Sequence, residues 1–203
     1  APLFLMFGKL FHVLIPFGDP GWRVNMWSVF ASAASIWFLY STTVMVIKNF
    51  RKSPIETLGD ALTVFGSAFI AAAAYTFSDT FWFNAVESEV YASSSLFLAV
   101  IVWLIMKWNE KADEVGNEKY LMLIAYIIGL STGVHLLAIL AMFSIALIVY
   151  FRKYEFKWSS FFVMGIIAVV GFFIIYPGIV KWLPAYLAGH TPGRNDAQEY
   201  TLE

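Results

Sequence analysis

Two carboxylates stand two residues apart, Glu87 and Glu89, within Phe81-Trp82-Phe83-Asn84-Ala85-Val86-Glu87-Ser88-Glu89-Val90-Tyr91-Ala92. That stretch is one of the few polar breaks in an otherwise lipid-soluble sequence. Paired acids can hold a divalent cation, order a phosphate-bearing ligand or carry a proton. Their cost near a bilayer is real, roughly 2.5–3.5 kcal/mol at a helix centre and less toward the interface. No Lys or Arg stands within ten residues on either side to offset it. A second candidate is His135, which follows the polar turn Ser131-Thr132-Gly133 and begins an apolar run. Its imidazole can bind a phosphate oxygen or relay a proton. Arg23 and Asn25, in Gly18-Asp19-Pro20-Gly21-Trp22-Arg23-Val24-Asn25, join Asn84 and Tyr91 as candidate ligand-binding side chains.

Each of these has a plainer reading. If the acidic stretch is helical, Glu87 and Glu89 lie about 200° apart and cannot both face one ligand. Asn84, Glu87, Tyr91 and Ser94 or Ser95 then share a face. If it is extended, both carboxylates point the same way. The bland alternative is a pair of interfacial acids in a wet loop, capping a helix that starts near residue 90. A lone histidine beside a turn is more often structural than catalytic. An Asp19–Arg23 pair that stabilises a helix start is favoured over a ligand-binding role for Arg23. His190 and Arg194, in the loop-like tail, are weaker candidates still.

The elements that must position these residues are membrane helices. The chain is 60% hydrophobic, 19% aromatic and only 13% charged, with mean hydropathy +0.72, whereas a soluble domain carries about 25% charged residues. Apolar runs near or above the ~18–20 residues that cross a ~30 Å hydrocarbon layer recur along it. Barrel-type alternation is absent. A net charge of −1 gives no case for nucleic acid, and the lack of cysteine excludes disulfides and thiolate chemistry.

The apolar runs predict an all-α polytopic bundle with spans at 24–47, 58–79, 90–107, 119–133, 135–151 and 158–178. The fourth and fifth form a tight hairpin. Residues 1–23 form an interfacial amphipathic segment and turn, 24–178 the bundle and 179–203 a tail, all in one transmembrane domain, 1–203. Ala71–Ala74, with Gly66, Ser67 and Ala68, and more weakly residues 31–35, are small-residue faces for close helix packing. Nine of the 13 Lys and Arg fall in three connections that alternating spans put on one side, which the positive-inside rule makes cytoplasmic. Asp19, Arg23, Asp79, Asn84, Glu87, Glu89 and His135 then collect on the opposite, non-cytoplasmic face. The start at Ala1-Pro2, without Met or a basic n-region, has no signal-peptide pattern and suggests a piece of a longer protein. Leu202-Glu203 fits a vector-derived end.

The order of these features resembles a known family. Pro2-Leu3-Phe4 opens an amphipathic segment, and Gly18-Asp19-Pro20 with Trp22-Arg23-Val24-Asn25 precedes a long span. The Trp82-Phe83-Asn84-Ala85-Val86-Glu87-Ser88-Glu89-Val90-Tyr91 stretch comes next, and Gly129-Leu130-Ser131-Thr132-Gly133-Val134-His135-Leu136-Leu137 comes last. Together they resemble a bacterial multi-span family, formerly a domain of unknown function. Its relatives are protein O-mannosyltransferase-like enzymes of the GT-C glycosyltransferase superfamily. The resemblance covers essentially the whole chain, and the acidic stretch is its most specific part.

The resemblance implies a GT-C-like transferase in a bacterial inner membrane, with its active face non-cytoplasmic. A polyprenyl-phosphate sugar donor enters from the membrane lipids, and a protein or glycan acceptor receives the sugar. It gives Glu87, Glu89 and His135 catalytic roles and Arg23, Asn25, Asn84 and Tyr91 substrate-binding ones. Glu87 and Glu89 match a second acidic motif that can hold a divalent cation (Mg or Mn) or order the donor phosphate. His135 stands where such enzymes often carry a basic residue near that phosphate. The superfamily's first span and first-loop acid, the expected general base, would precede Ala1, and relatives continue past residue 203. The implied object is the membrane core of a larger enzyme, inactive alone. Two other classes compete: a transporter or flippase with a coupling ion on the same acids, and a non-catalytic scaffold in which the acids pair with Arg23 or Lys181. Acids gathered at one face, without a convincing internal repeat, count against the transporter.

Overall fold

The computed structural model describes residues 1–51 and 53–189; His190 and Arg194 lie outside them. Every regular element among the described residues is helical. Helix α1 is Pro2–Leu14, α2 is Pro20–Arg51 and α3 is Leu58–Thr76. Helix α4 is Asp79–Val86, α5 is Val90–Lys111 and α6 is Glu118–Ser131. Helix α7, Leu136–Lys153, opens with a 3-10 turn over Leu136–Leu140, and α8 is Trp158–Leu187. Helices α2, α3, α5, α7 and α8 are long and apolar enough to cross a membrane. The chain is an integral membrane protein, as its composition predicts.

Two span expectations change. The fourth, expected over 119–133, is α6, only 14 residues long. At 1.5 Å per residue it reaches about 21 Å, short of a ~30 Å hydrocarbon layer. The Gly116 turn, in left-handed backbone (φ 79), precedes its start at Glu118, and Ser131-Thr132-Gly133 ends it. The last helix runs on to Leu187, well past the expected 178. Pro177 interrupts the amide ladder there, and the helix passes it as a π-helical stretch over Ile174–Trp182.

The chain divides into two compact units, Ala1–Arg152 and Lys153–Glu203. In the first, one buried cluster ties α1, α2 and α5 to the turn before α7. It contains Phe4, Trp27, Ala31, Ala92 and Val134, with Phe7, Phe11 and Val90 packed against it. Phe7 stacks on Trp27 at 4.1 Å between ring centroids. The indole Nε1–H donates to Ser93 Oγ at 2.6 Å across the α2–α5 interface. Helix α1 therefore lies on the bundle by its Phe4/Phe7/Phe11 face, leaving Leu5, Met6, Leu10 and Val13 exposed. That second apolar face suits the interfacial position expected for it. Between α1 and α2, Gly18 takes a left-handed φ of 81, and a Cβ there would meet the Trp22 ring at 2.8 Å.

The small-residue faces behave in two ways. Ala68 and Ala72 of α3 and Ala31, Ser32 and Ser35 of α2 are buried in helix contacts. Ala71 and Ser35 also line a cavity of about 450 Å³ between α2, α3 and α5. Close packing thus holds along one stripe, not along the whole Ala71–Ala74 run. At the opposite end of the unit, Thr57 and Asp60 form a capping box at the start of α3. Arg51 pairs with Asp60. Arg152 pairs with Asp113 and donates to the Asn109 carbonyl. The end of α7 therefore returns to the α5–α6 connection, as a hairpin of α6 and α7 requires. Among its described residues the second unit is dominated by α8, a mostly apolar helix with no buried residue.

Removing the hydroxyl that receives the Trp27 indole orphans a buried N–H, at about 1–3 kcal/mol. Ser93→Ala is expected to lower the melting temperature in detergent. Ser94→Ala, whose hydroxyl bonds only its own helix at Val90, is expected to leave it nearly unchanged. Equal melting temperatures for the two variants would count against this cluster as the fold's tie.

Candidate functional site

The acidic stretch is neither one helix nor a simple strand. Helix α4 ends at Val86, and Glu87 is extended (φ −109, ψ 141). Glu89 is extended as well (φ −125, ψ 167) and occupies the cap position of α5. Its amide donates to the Glu87 carbonyl at 2.9 Å, which closes a three-residue turn about Ser88. The continuous helical face expected of Asn84, Glu87, Tyr91 and Ser94 is thereby broken, with Asn84 on α4 and Tyr91 and Ser94 on α5. Glu87 and Glu89 are both exposed. Neither carboxylate has an ion pair or side-chain hydrogen bond among the described residues, and Glu89 makes no side-chain capping bond. The plain capping reading therefore retains only the helix dipole.

Asn25, in the second turn of α2, reaches this turn from 61 residues away. Its Nδ2–H donates to the Val86 carbonyl at 3.0 Å, and its Oδ1 lies 3.5 Å from Ser88 Oγ. The carboxamide thus touches backbone and hydroxyl on both flanks of Glu87. Arg23 is used elsewhere: Nη1 donates to the His12 and Ile15 carbonyls, both at 3.3 Å, at the end of α1. Asp19 does not pair with Arg23; its carboxylate accepts from the Trp22 amide at 3.0 Å and starts α2. Asn84 is half-buried on α4.

His135 belongs to the same end of the unit. Its ring lies 5.8 Å from that of Tyr91, in the first turn of α5, at an interplanar angle of 50°. Nδ1 accepts from the Leu137 amide at 3.2 Å and caps the 3-10 turn that opens α7. An amide only donates, so a neutral His135 carries its proton on Nε2. The structural role and a chemical role therefore use different nitrogens. The preceding turn receives the start of α1: the Leu3 amide donates to the Gly133 carbonyl at 3.0 Å. A Cβ on Gly133 would lie 3.1 Å from that of Leu3, so glycine permits this approach. Ser88 and this Leu3–Gly133 contact were not singled out from the sequence; Gly133 itself was the available signal.

Among the described residues, no three His, Cys, Asp or Glu side chains gather as a metal-ligating group. Glu87 and Glu89 both stand exposed on the join between α4 and α5. They do not form an all-protein cage.

The profile of the family described as protein O-mannosyl-transferase TMEM260 N-terminal domain matches residues 1–158. The chain is 26% identical over 122 residues to "Protein O-mannosyl-transferase tmem260" of Dictyostelium discoideum, covering 59% of this chain and 13% of that protein. It is 26% identical over 130 residues to "Protein O-mannosyl-transferase TMEM260" of Mus musculus, covering 64% and 16% respectively. The chain thus spans under a fifth of the length of these curated relatives. No solved structure matches.

The assignment of His135 nitrogens gives a direct expectation. With the ring neutral, nitrogen chemical shifts of ¹⁵N-histidine-labelled protein should show protonated Nε2 and bare Nδ1 for His135. His135→Asn, which keeps a cap acceptor, should be more stable than His135→Ala by about 0.5–2 kcal/mol. A protonated Nδ1, or equal stability of the two variants, would remove the cap.

Proposed function

The chain belongs to the protein O-mannosyl-transferase TMEM260 N-terminal domain family, and from that premise we propose that it is the membrane core of a GT-C type glycosyltransferase. It moves a sugar from a polyprenyl-phosphate donor to a protein acceptor at the non-cytoplasmic face of a bacterial inner membrane. The observation that carries this reading is the exposed, unpaired Glu87/Glu89 turn at the end of the unit that also holds His135 and Tyr91.

The chemistry needs stabilisation of negative charge. The bond from the sugar's anomeric carbon to the phosphate oxygen breaks, and its electron pair stays on that oxygen. The acceptor hydroxyl oxygen bonds the anomeric carbon, and its proton passes to a base. His135 can donate from Nε2 to the departing phosphate while Nδ1 remains in its cap. Glu87 and Glu89 are the residues that would hold a divalent cation. When bound, such an ion supplies charge neutralisation there. The base is the first-loop acid that the family resemblance puts ahead of Ala1.

In the full-length protein, Glu87→Gln and Glu89→Gln are expected to slow sugar transfer by about 10²–10³-fold. Melting temperature should hold, since neither carboxylate bonds another side chain. Near wild-type transfer in both variants would remove the glutamates from the mechanism.

The cation has its own test. Chelation should abolish transfer, Mg or Mn should restore it, and Glu87→Gln should raise the metal concentration needed for half-maximal rate. Transfer unaffected by chelator would end the metal role and leave His135 as the phosphate partner.

A further inference from the structure

We propose that Asn25 is a positioning residue that sets where the acidic turn presents its carboxylates. Val86 is the last residue of α4, and its carbonyl has no helical partner because the chain becomes extended at Glu87. Asn25 Nδ2 supplies the missing donor at 3.0 Å. Its Oδ1 faces Ser88 Oγ at 3.5 Å, a contact at the long limit, so most of the hold is on Val86. The two contacts bracket Glu87, whose own side chain is exposed and bonded to nothing among the described residues. The backbone alone therefore locates that carboxylate. One turn bond, Glu89 amide to Glu87 carbonyl, limits the rest of the join.

Asn25 is itself held firmly. It stands two residues before Trp27, whose ring is buried and bonded to Ser93 of α5. The clamp thus refers the end of α4 and the start of α5 to one rigid point on α2. Its carboxamide is already engaged by the protein, so it acts through Glu87 and does not itself bind the ligand. The catalytic half of this inference rests on the glycosyltransferase reading; the conformational half does not.

The experiment compares full-length wild-type, Asn25→Ala and Asn25→Asp proteins. Asp keeps an acceptor toward Ser88 and removes the donor to Val86, so both variants should loosen the turn alike. Because Asp also adds a carboxylate beside Glu87, kcat and metal dependence are read from Asn25→Ala. Hydrogen exchange at the Glu89 amide should speed up in both, with exchange in α2 and α5 unchanged. Transfer kcat should fall about 10–100-fold, the scale of a lost supporting contact, with acceptor KM unchanged and the metal half-saturation raised. Wild-type exchange at Glu89 in both variants overturns the clamp, whatever the activity. Faster exchange with wild-type kcat and metal dependence overturns the positioning role. If transfer is lost in the Asn25 variants but not in Glu87→Gln, the glycosyltransferase reading of the acids fails, while the exchange result still decides the clamp. A collapse of melting temperature in both variants, with exchange raised throughout, makes Asn25 merely structural and overturns the proposal.

Discussion

The burial of Trp27 against Phe7 and Ser93 is the constraint on which the rest of this end of the molecule depends. In a bilayer, helices gain little from hiding apolar surface from lipid that is just as apolar, so association rests on packing and on polar bonds between helices. Trp27 supplies both, with a ring stacked on α1 and an indole N–H bonded across to α5. Three candidate residues and one helix contact are attached within a residue or two of this cluster. Asn25 precedes Trp27, Tyr91 precedes Ala92 and Ser93, His135 follows Val134, and the Leu3 contact to Gly133 precedes Phe4. A polar site on short loops is thereby given the rigidity of a packed core.

The polar groups at this end divide by what they are bonded to. Arg23, the one arginine near the acids in sequence order at this end, is spent on the carbonyls that terminate α1. Asp19 is spent on the start of α2. Asn25 is spent on α4, and His135 uses one nitrogen on α7. The Glu87 and Glu89 carboxylates are both exposed and have no ion pair or side-chain hydrogen bond among the described residues. A scaffold in which these acids pair with Arg23 is at odds with that arrangement. A site that recruits a cation or a proton from outside the protein agrees with it.

Legibility in the sequence followed the range of the interaction. Hydropathy alone located the long helices, because a run of apolar residues is a local property. It found α6 as a short run bounded by the polar turn at Ser131-Thr132-Gly133, within two residues of its observed ends. It stopped α8 at Pro177-Gly178, though the helix passes them by widening to a π turn. The acidic join stayed ambiguous because three residues are too few to show a period. Only backbone geometry separates a helix from an extended turn there. The fate of Arg23 depended on where α1 ends relative to α2, and the Asn25–Val86 bond links positions 61 residues apart. Neither leaves a trace in spacing. Asn25 bonds the chain itself at Val86, a contact that spacing does not announce.

Two independent boundaries nearly coincide. The family match ends at residue 158, and the first compact unit ends at Arg152. Every candidate residue with a described role lies before both. The module defined by descent and the module defined by packing are therefore close to the same object. That object contains a buried tie, a docked interfacial helix, and a carboxylate turn beside a histidine-bearing turn. The remaining long helix, α8, is mostly apolar, with Lys181 in its π-helical stretch. Within the first unit the two glutamates differ from every other charged pair described: Arg51–Asp60, Lys107–Glu110, Lys111–Glu114 and Arg152–Asp113 are neutralised at the opposite end. The Glu87 and Glu89 carboxylates, at the other end, have no such partner among the described residues.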